Sequence, residues 1–199
     1  MIIRKKFNVE SAHIVRNCTS ERCSHSIHGH SATIEVFLES NSLDNAQMVY
    51  DFGLMKSTIK QFVDSMDHCY LLCANDSGDF KNFIKSNCDR WIELPFNPSA
   101  EMLSMFIFSG VSRILENTIF KNGEDYIQVN SVRYHETTTG YAECNITDVI
   151  RYNDVIDFDS IIYSEGVTKD WSNDLKSLIY DNETVCNPIV EQQITLKNI

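Results

Sequence analysis

An α+β fold is the class this sequence predicts, and three observations predict it. Segments 3–10 and 28–39 alternate apolar and polar residues with the two-residue period of a half-buried strand. Two longer segments, from Asp51 and from Ser99, repeat their apolar residues every three or four positions, the period of a helix that buries one side. Two further strand-like runs, YIQVNSVRYHE and GYAECNI, follow. The order is strand, strand, helix, helix, strand, strand, without internal repeats or low-complexity blocks.

In the first strand Ile3, Lys5, Phe7 and Val9 share one parity, and if the register persists Ser11 and His13 lie on the Phe7 side. Residues 14–27 break the alternation and read as a loop. In the second strand His28, His30, Ala32, Ile34, Val36 and Leu38 share the buried parity, while Gly29 faces the other way and permits a close approach of backbone or ligand. The first helix carries Phe52, Met55, Ile59, Phe62, Val63 and Met66 on its apolar face, with Asp51 as its cap and Asp67–His68 at its end. Residues 73–92 are polar and read as an irregular excursion with at most a short helix. Ser99 caps the second helix, whose apolar face runs from Met102 to Leu115. The third strand ends at Glu136.

The tail from 147 contains VIRYNDVIDFDSIIYS, extended in part, then a helix around Trp171, Leu175, Leu178 and Ile179. It either covers a sheet edge, packs on a neighbouring subunit, or hangs as a loosely ordered appendage. The chain is read as one domain over 1–199, with a polar insertion at about 73–92 and an acidic C-terminal extension at about 147–199.

A net charge of −11, with acids in excess in the tail, repels nucleic acid and anionic lipid, and no basic stripe offers them a site. A small anionic substrate remains compatible, because local charges or a metal reverse the field inside one pocket. No apolar run approaches the roughly 20 residues of a membrane span, and the N-terminus lacks the pattern of a signal peptide, so the expected location is the cytoplasm. Seven scattered cysteines agree with reduced thiols there.

The chemistry concentrates in CSHSIHGHS, residues 23–31. His28 and His30 stand about 6.6 to 7 Å apart on one strand face, a spacing from which both rings can reach one ion. His13, on the sheltered side of the neighbouring strand, is the natural third ligand, and three histidines with an open position make a catalytic site. Two histidines hydrogen-bonded through their ring nitrogens would account for the HxH spacing equally well. Cys23 is a base if a cation stabilises its thiolate, and otherwise a free loop thiol. Asp67 and His68 form either a proton-transfer dyad or a helix-end pair, and Glu136 either accepts from a ligand's ring N–H groups or faces solvent.

As an ordered set, these motifs resemble the family of 6-pyruvoyl-tetrahydropterin synthase and 6-carboxy-tetrahydropterin synthase, closest to the bacterial queuosine-pathway branch. FNVESAH is similar to its first motif, and HGHS to its second, which makes His13, His28 and His30 the expected zinc ligands. MVYDFGLMK resembles the segment that opens the first helix, and PSAE, with Ser99 replacing threonine, the one that opens the second. Asp67 and His68 match the proton-transfer pair, and Glu136 in HET matches the glutamate that anchors the pterin. In the common carboxy-type pattern the catalytic cysteine lies four residues before HGH, where this chain has Ser24. Cys23, one residue earlier, is taken as that thiol, with Cys18 as the alternative.

The resemblance spans residues 7–142 and implies a tunnelling fold (T-fold), in which antiparallel sheets backed by two helices join into a barrel within a trimer. Two trimers commonly stack into a hexamer, and the sites lie between subunits. The implied activity is zinc-dependent conversion of 7,8-dihydroneopterin triphosphate to 6-carboxy-5,6,7,8-tetrahydropterin, releasing acetaldehyde and triphosphate. Arg16 and Arg22 are then expected triphosphate contacts, with solvated loop charge as their plain alternative. The rival expectations are a 6-pyruvoyl product and a non-catalytic metal- or pterin-binding protein.

Overall fold

A computed structural model describes residues 1–191 and 194. Strand β1 (Ile2–His13) runs antiparallel to β2 (His28–Glu39) in unbroken register from Ile2 opposite Glu39 to His13 opposite His28, with helix α1 (Glu21–His25) in the connection. The alternation read in both segments is real. Phe7 and Val9 of β1 and Ala32, Ile34, Val36 and Leu38 of β2 are buried in one core.

The first helix differs from its expected form. Asp51 does not cap it: its Oδ1 accepts from the Gly53 N–H at 2.6 Å, closing a tight local turn that leaves Phe52 45% exposed. A 3₁₀ turn at Leu54–Lys56 follows, Ser57 departs from helical geometry, and helix α2 spans only Thr58–Asp64. Met55, Ile59, Phe62, Val63 and Met66 are nonetheless all buried.

Residues 73–92 are not irregular. Strand β3 (Cys69–Cys73), helix α3 (Gly78–Asn87) and strand β4 (Trp91–Leu94) form a crossover unit, with Ser77 Oγ accepting the Phe80 N–H to cap α3. Every residue of CYLLC is buried, the continuous apolar signature of a strand covered on both faces, which alternation does not detect. Tyr70, Leu72 and Ile84 make a small second core beneath α3. Helix α4 (Ala100–Glu116) is capped by Ser99 as expected. Strands β5 (Thr118–Ile119), β6 (Gln128–Thr137) and β7 (Gly140–Asn145) follow, and then helix α5 (Ile146–Arg151).

The tail supplies β8 (Ile162–Tyr163), α6 (Glu165–Thr168), α7 (Asn173–Lys176) and β9 (Val185–Cys186), the last paired with β5. The main sheet has the order β7-β6-β2-β1-β3-β4-β8. It is mostly antiparallel, with β3 parallel to both β1 and β4. Helices α2 and α4 meet through Phe62 and Phe106, whose rings lie 5.2 Å apart, and share one core with the sheet. β8 covers the β4 edge, so among the described residues the edge-covering reading of the tail holds and the loose appendage does not, while 192, 193 and 195–199 lie outside the described residues. Trp171, Leu175, Leu178 and Ile179 belong to the main core. Because Leu175 has no exposed surface, Leu175→Ala should destabilise the protein by about 2 to 5 kcal/mol in chemical denaturation, whereas a loosely attached tail would leave the transition unmoved.

Candidate metal centre and active site

Strand register assembles the site. His13 pairs directly with His28, so their side chains project from the same sheet face, and His30 follows two residues along β2 on that face. Gly29 lies where an added Cβ would stand 2.8 Å from the Ser11 carbonyl oxygen, so the predicted close approach is that of β1's backbone. The three rings are mutual neighbours, with centroids 4.6 Å (His13–His28), 5.3 Å (His13–His30) and 5.2 Å (His28–His30) apart. One ligand atom from each falls within 4.8 Å of the others.

The hydrogen bonds around the rings explain which nitrogens converge. His13 Nδ1 donates to the Pro98 carbonyl at 2.8 Å and His28 Nδ1 to the Ser26 carbonyl at 3.0 Å. Each bond fixes the tautomer that leaves Nε2 with its lone pair, the arrangement metal-bound imidazoles use. His13 is 3% exposed, and burial, reinforced by the charges of His28 and His30, lowers its pKa to about 4 despite the Pro98 contact. It is therefore neutral at pH 7. The Nε2 atoms of His13 and His30 are buried without a hydrogen-bond partner. Two orphaned ring nitrogens facing a third imidazole fit a divalent cation, which would satisfy all three rings at once.

Glu136, near the end of β6, closes this face. Its Oε1 lies 3.4 Å from both His13 Nε2 and His30 Nε2, longer than a charge-assisted hydrogen bond. The carboxylate thus faces the cluster without neutralising it.

Asp67 and His68 do face each other, with His68 Nδ1 3.0 Å from Asp67 Oδ2. The other Asp67 oxygen accepts the Glu10 N–H at 2.8 Å. Partial burial raises the Asp67 carboxyl, but the Glu10 N–H, His68 and Arg90 together outweigh it and hold the group below the usual carboxylate range. The His68 N–H donates to the Glu10 carbonyl, which fastens the pair beside β1 rather than at a helix end.

Cys23 is half-buried in α1, its carbonyl accepting the Val15 N–H at 2.9 Å, so its backbone lies beside the segment just after His13. Its thiol is not part of the histidine cluster. Ser24 is the buried residue of that helix, bonded to Ser20 and His25, and the Cys18 thiol donates to the Ser20 carbonyl. Arg16 is committed within the chain: Nε bonds Asp76 at 2.6 Å, Nη1 reaches the Ser24 carbonyl, and the guanidinium lies over Phe80. Arg22 is exposed, in a surface cleft with Glu21, His25 and Ser26.

Sequence reasoning missed the carbonyls of Pro98 and Ser26, since a carbonyl's direction leaves no mark in residue identity. It also missed Arg90, one of three cations in a polar stretch, although the guanidinium bonds the Asp67 carbonyl at 2.9 Å.

Residues 2–146 match the family model described as 6-pyruvoyl tetrahydropterin synthase. The chain belongs to the 6-pyruvoyl tetrahydropterin synthase family. Relatives named 6-carboxy-5,6,7,8-tetrahydropterin synthase include those of two Helicobacter pylori strains, each 36% identical over 94% of both chains, so the similarity extends through the tail. One from Aquifex aeolicus is 31% identical over 59% of this chain and 72% of its own. Among solved structures, an uncharacterized protein from Wolinella succinogenes superposes with a TM-score of 0.57 at 20% identity, covering 73% of this chain and 98% of that one. The Plasmodium falciparum 6-pyruvoyl tetrahydropterin synthase gives 0.51 at 13% identity, covering 72% and 96%. The fold is therefore the T-fold that the family implied. No helix among the described residues is long and apolar enough to cross a membrane.

Metal-free protein equilibrated with zinc and dialysed should retain about one ion per chain, and His13→Ala or His30→Ala should retain less than about a tenth of that with an unchanged circular dichroism spectrum. Elemental analysis measures both.

Proposed function

We propose that this protein is a 6-carboxy-5,6,7,8-tetrahydropterin synthase, acting on 7,8-dihydroneopterin triphosphate and releasing acetaldehyde and triphosphate. The observation that carries the reading is the cluster of three convergent imidazoles faced by Glu136, in a chain similar along almost its whole length to proteins of that name. His13, His28 and His30 would hold a zinc ion, which would supply Lewis acidity toward the side-chain hydroxyls of the pterin.

The chain's own residues do the rest. Glu136 accepts from the ring N–H groups of the pterin and sets its distance from the cluster. Cys23, as thiolate, removes a proton from the substrate side chain, and His68, oriented by Asp67, carries a proton to or from the reacting carbons. Arg22, free at the surface, meets the triphosphate more readily than Arg16, which would first have to release Asp76. The product feeds queuosine biosynthesis in the cytoplasm.

Assembly into trimers, stacked as hexamers, is part of the proposal. Beyond the short β3 pairing at Ser11–His13, the free side of β1 from Ile2 to Val9 has no strand partner among the described residues. The other edge of the main sheet is β7. Joining one chain's β1 to the next chain's β7 would satisfy both edges and close a barrel. The sheet face opposite the helices already carries a polar network of Glu35, Arg4 and His135, suited to a wet interior.

The family model's own name favours the second reading, a 6-pyruvoyl product. Incubating zinc-loaded protein with 7,8-dihydroneopterin triphosphate should release acetaldehyde in step with triphosphate. Triphosphate without acetaldehyde would establish the pyruvoyl reaction instead, and zinc retention without turnover a binding protein. Cys23→Ala and His68→Ala should each lower kcat by roughly 10² or more while metal content stays constant.

A further inference from the structure

His68 is 77% exposed, and its only side-chain partner among the described residues is the adjacent Asp67. An imidazole so placed takes its direction from the backbone that carries it. That backbone is in the left-handed region, with φ +52° at His68, an uncommon setting for a residue with a Cβ that persists only when its surroundings impose it.

Glu10 of β1 holds that backbone from one side, and Arg90, in the turn between α3 and β4, restrains it from behind. Its Nε donates to the Asp67 carbonyl at 2.9 Å, the oxygen of the peptide that joins Asp67 to His68. Nη2 donates to the Asp64 carbonyl at 3.0 Å, and Nη1 to the Gly166 carbonyl at 2.8 Å and to Asp170 Oδ2 at 2.6 Å. One planar fork therefore joins the α2–β3 turn, the crossover unit and the C-terminal extension. The extension also grips the start of this turn and the helix α2 that leads into it. Trp171 Nε1 donates to Ser65 Oγ at 2.8 Å, and the Ser172 N–H to Gln61 Oε1 at 2.9 Å. Gly166 packs so tightly on the crossover that an added Cβ would stand 2.1 Å from the Asp89 carbonyl oxygen.

We infer that Arg90 is a positioning residue, which, together with residues 164–172 of the extension, holds the 67–68 peptide so that His68 is presented to substrate in a single orientation. This rests on the reading of Asp67–His68 as the proton-transfer pair. It gives the crossover and the extension a common task beyond packing. A lysine cannot substitute, because one ammonium lacks the planar fork that reaches the Asp64, Asp67 and Gly166 carbonyls together.

A double-mutant cycle tests it on the full chain with zinc bound. Arg90→Gln and Arg90→Lys should each lower kcat about tenfold or more with KM within about threefold and metal content unchanged, since misdirection costs the chemical step rather than binding. In a His68→Ala background, Arg90→Gln should change kcat by less than about twofold, because the group it positions is gone. Asp170→Asn, at an exposed carboxylate, should give a smaller loss in the same pattern and serves in place of Arg90→Gln if that variant fails to fold. A loss of equal size with and without His68, or an unchanged kcat in both Arg90 variants, overturns the inference. An undiminished kcat in His68→Ala alone refutes the proton-transfer reading itself and takes the positioning role with it.

Discussion

The antiparallel pairing of β1 with β2 is the constraint on which the site depends. Its register places His13 opposite His28, and the two-residue pleat puts His30 on the same face. A slip by one residue would send His28 and His30 to the opposite face from His13 and turn Ile34, Val36 and Leu38 out of the core. The burial that fixes the fold and the convergence that makes the centre are thus one specification. The carbonyls of Pro98 and Ser26 complete it by directing which nitrogen each ring offers.

The histidine centre is held by long strands, whereas the Asp67–His68 pair sits on a turn that has to be restrained from outside. That difference gives physical meaning to the crossover and to the C-terminal segment. The β3–α3–β4 crossover brings Arg90 to the back of that turn, and the extension brings Gly166 and Asp170 to Arg90, Trp171 to Ser65 and Ser172 to Gln61 of α2. A short sheet that stopped at β1 would leave the 67–68 turn held by Glu10 alone.

Much of this was legible in residue order. Strict alternation in β1 and β2 located the three histidines, since parity alone decides which side chains share a face. Ser99 and the apolar stripe behind it gave α4. CYLLC is hard to read as a strand because it is buried on both faces and so has no alternation, and the polar α3 beside it obscures the crossover. Phe52 was misplaced because Asp51 used its carboxylate to close a turn instead of capping a helix, an alternative open to any Asp. Arg90 was illegible for another reason: its partners are mainly backbone carbonyls distant in sequence, which only the folded chain brings together.

The central claim is that three imidazoles gather around one ion and leave it a free position. X-ray absorption on the zinc-loaded protein, combined with anomalous diffraction at the zinc edge, tests it most directly. The account predicts a single ion with three histidine nitrogens at about 2.0 to 2.1 Å, from His13, His28 and His30, and a remaining site open to a light exchangeable ligand. An ion bound through sulfur, or His13 turned away from the metal, would contradict it.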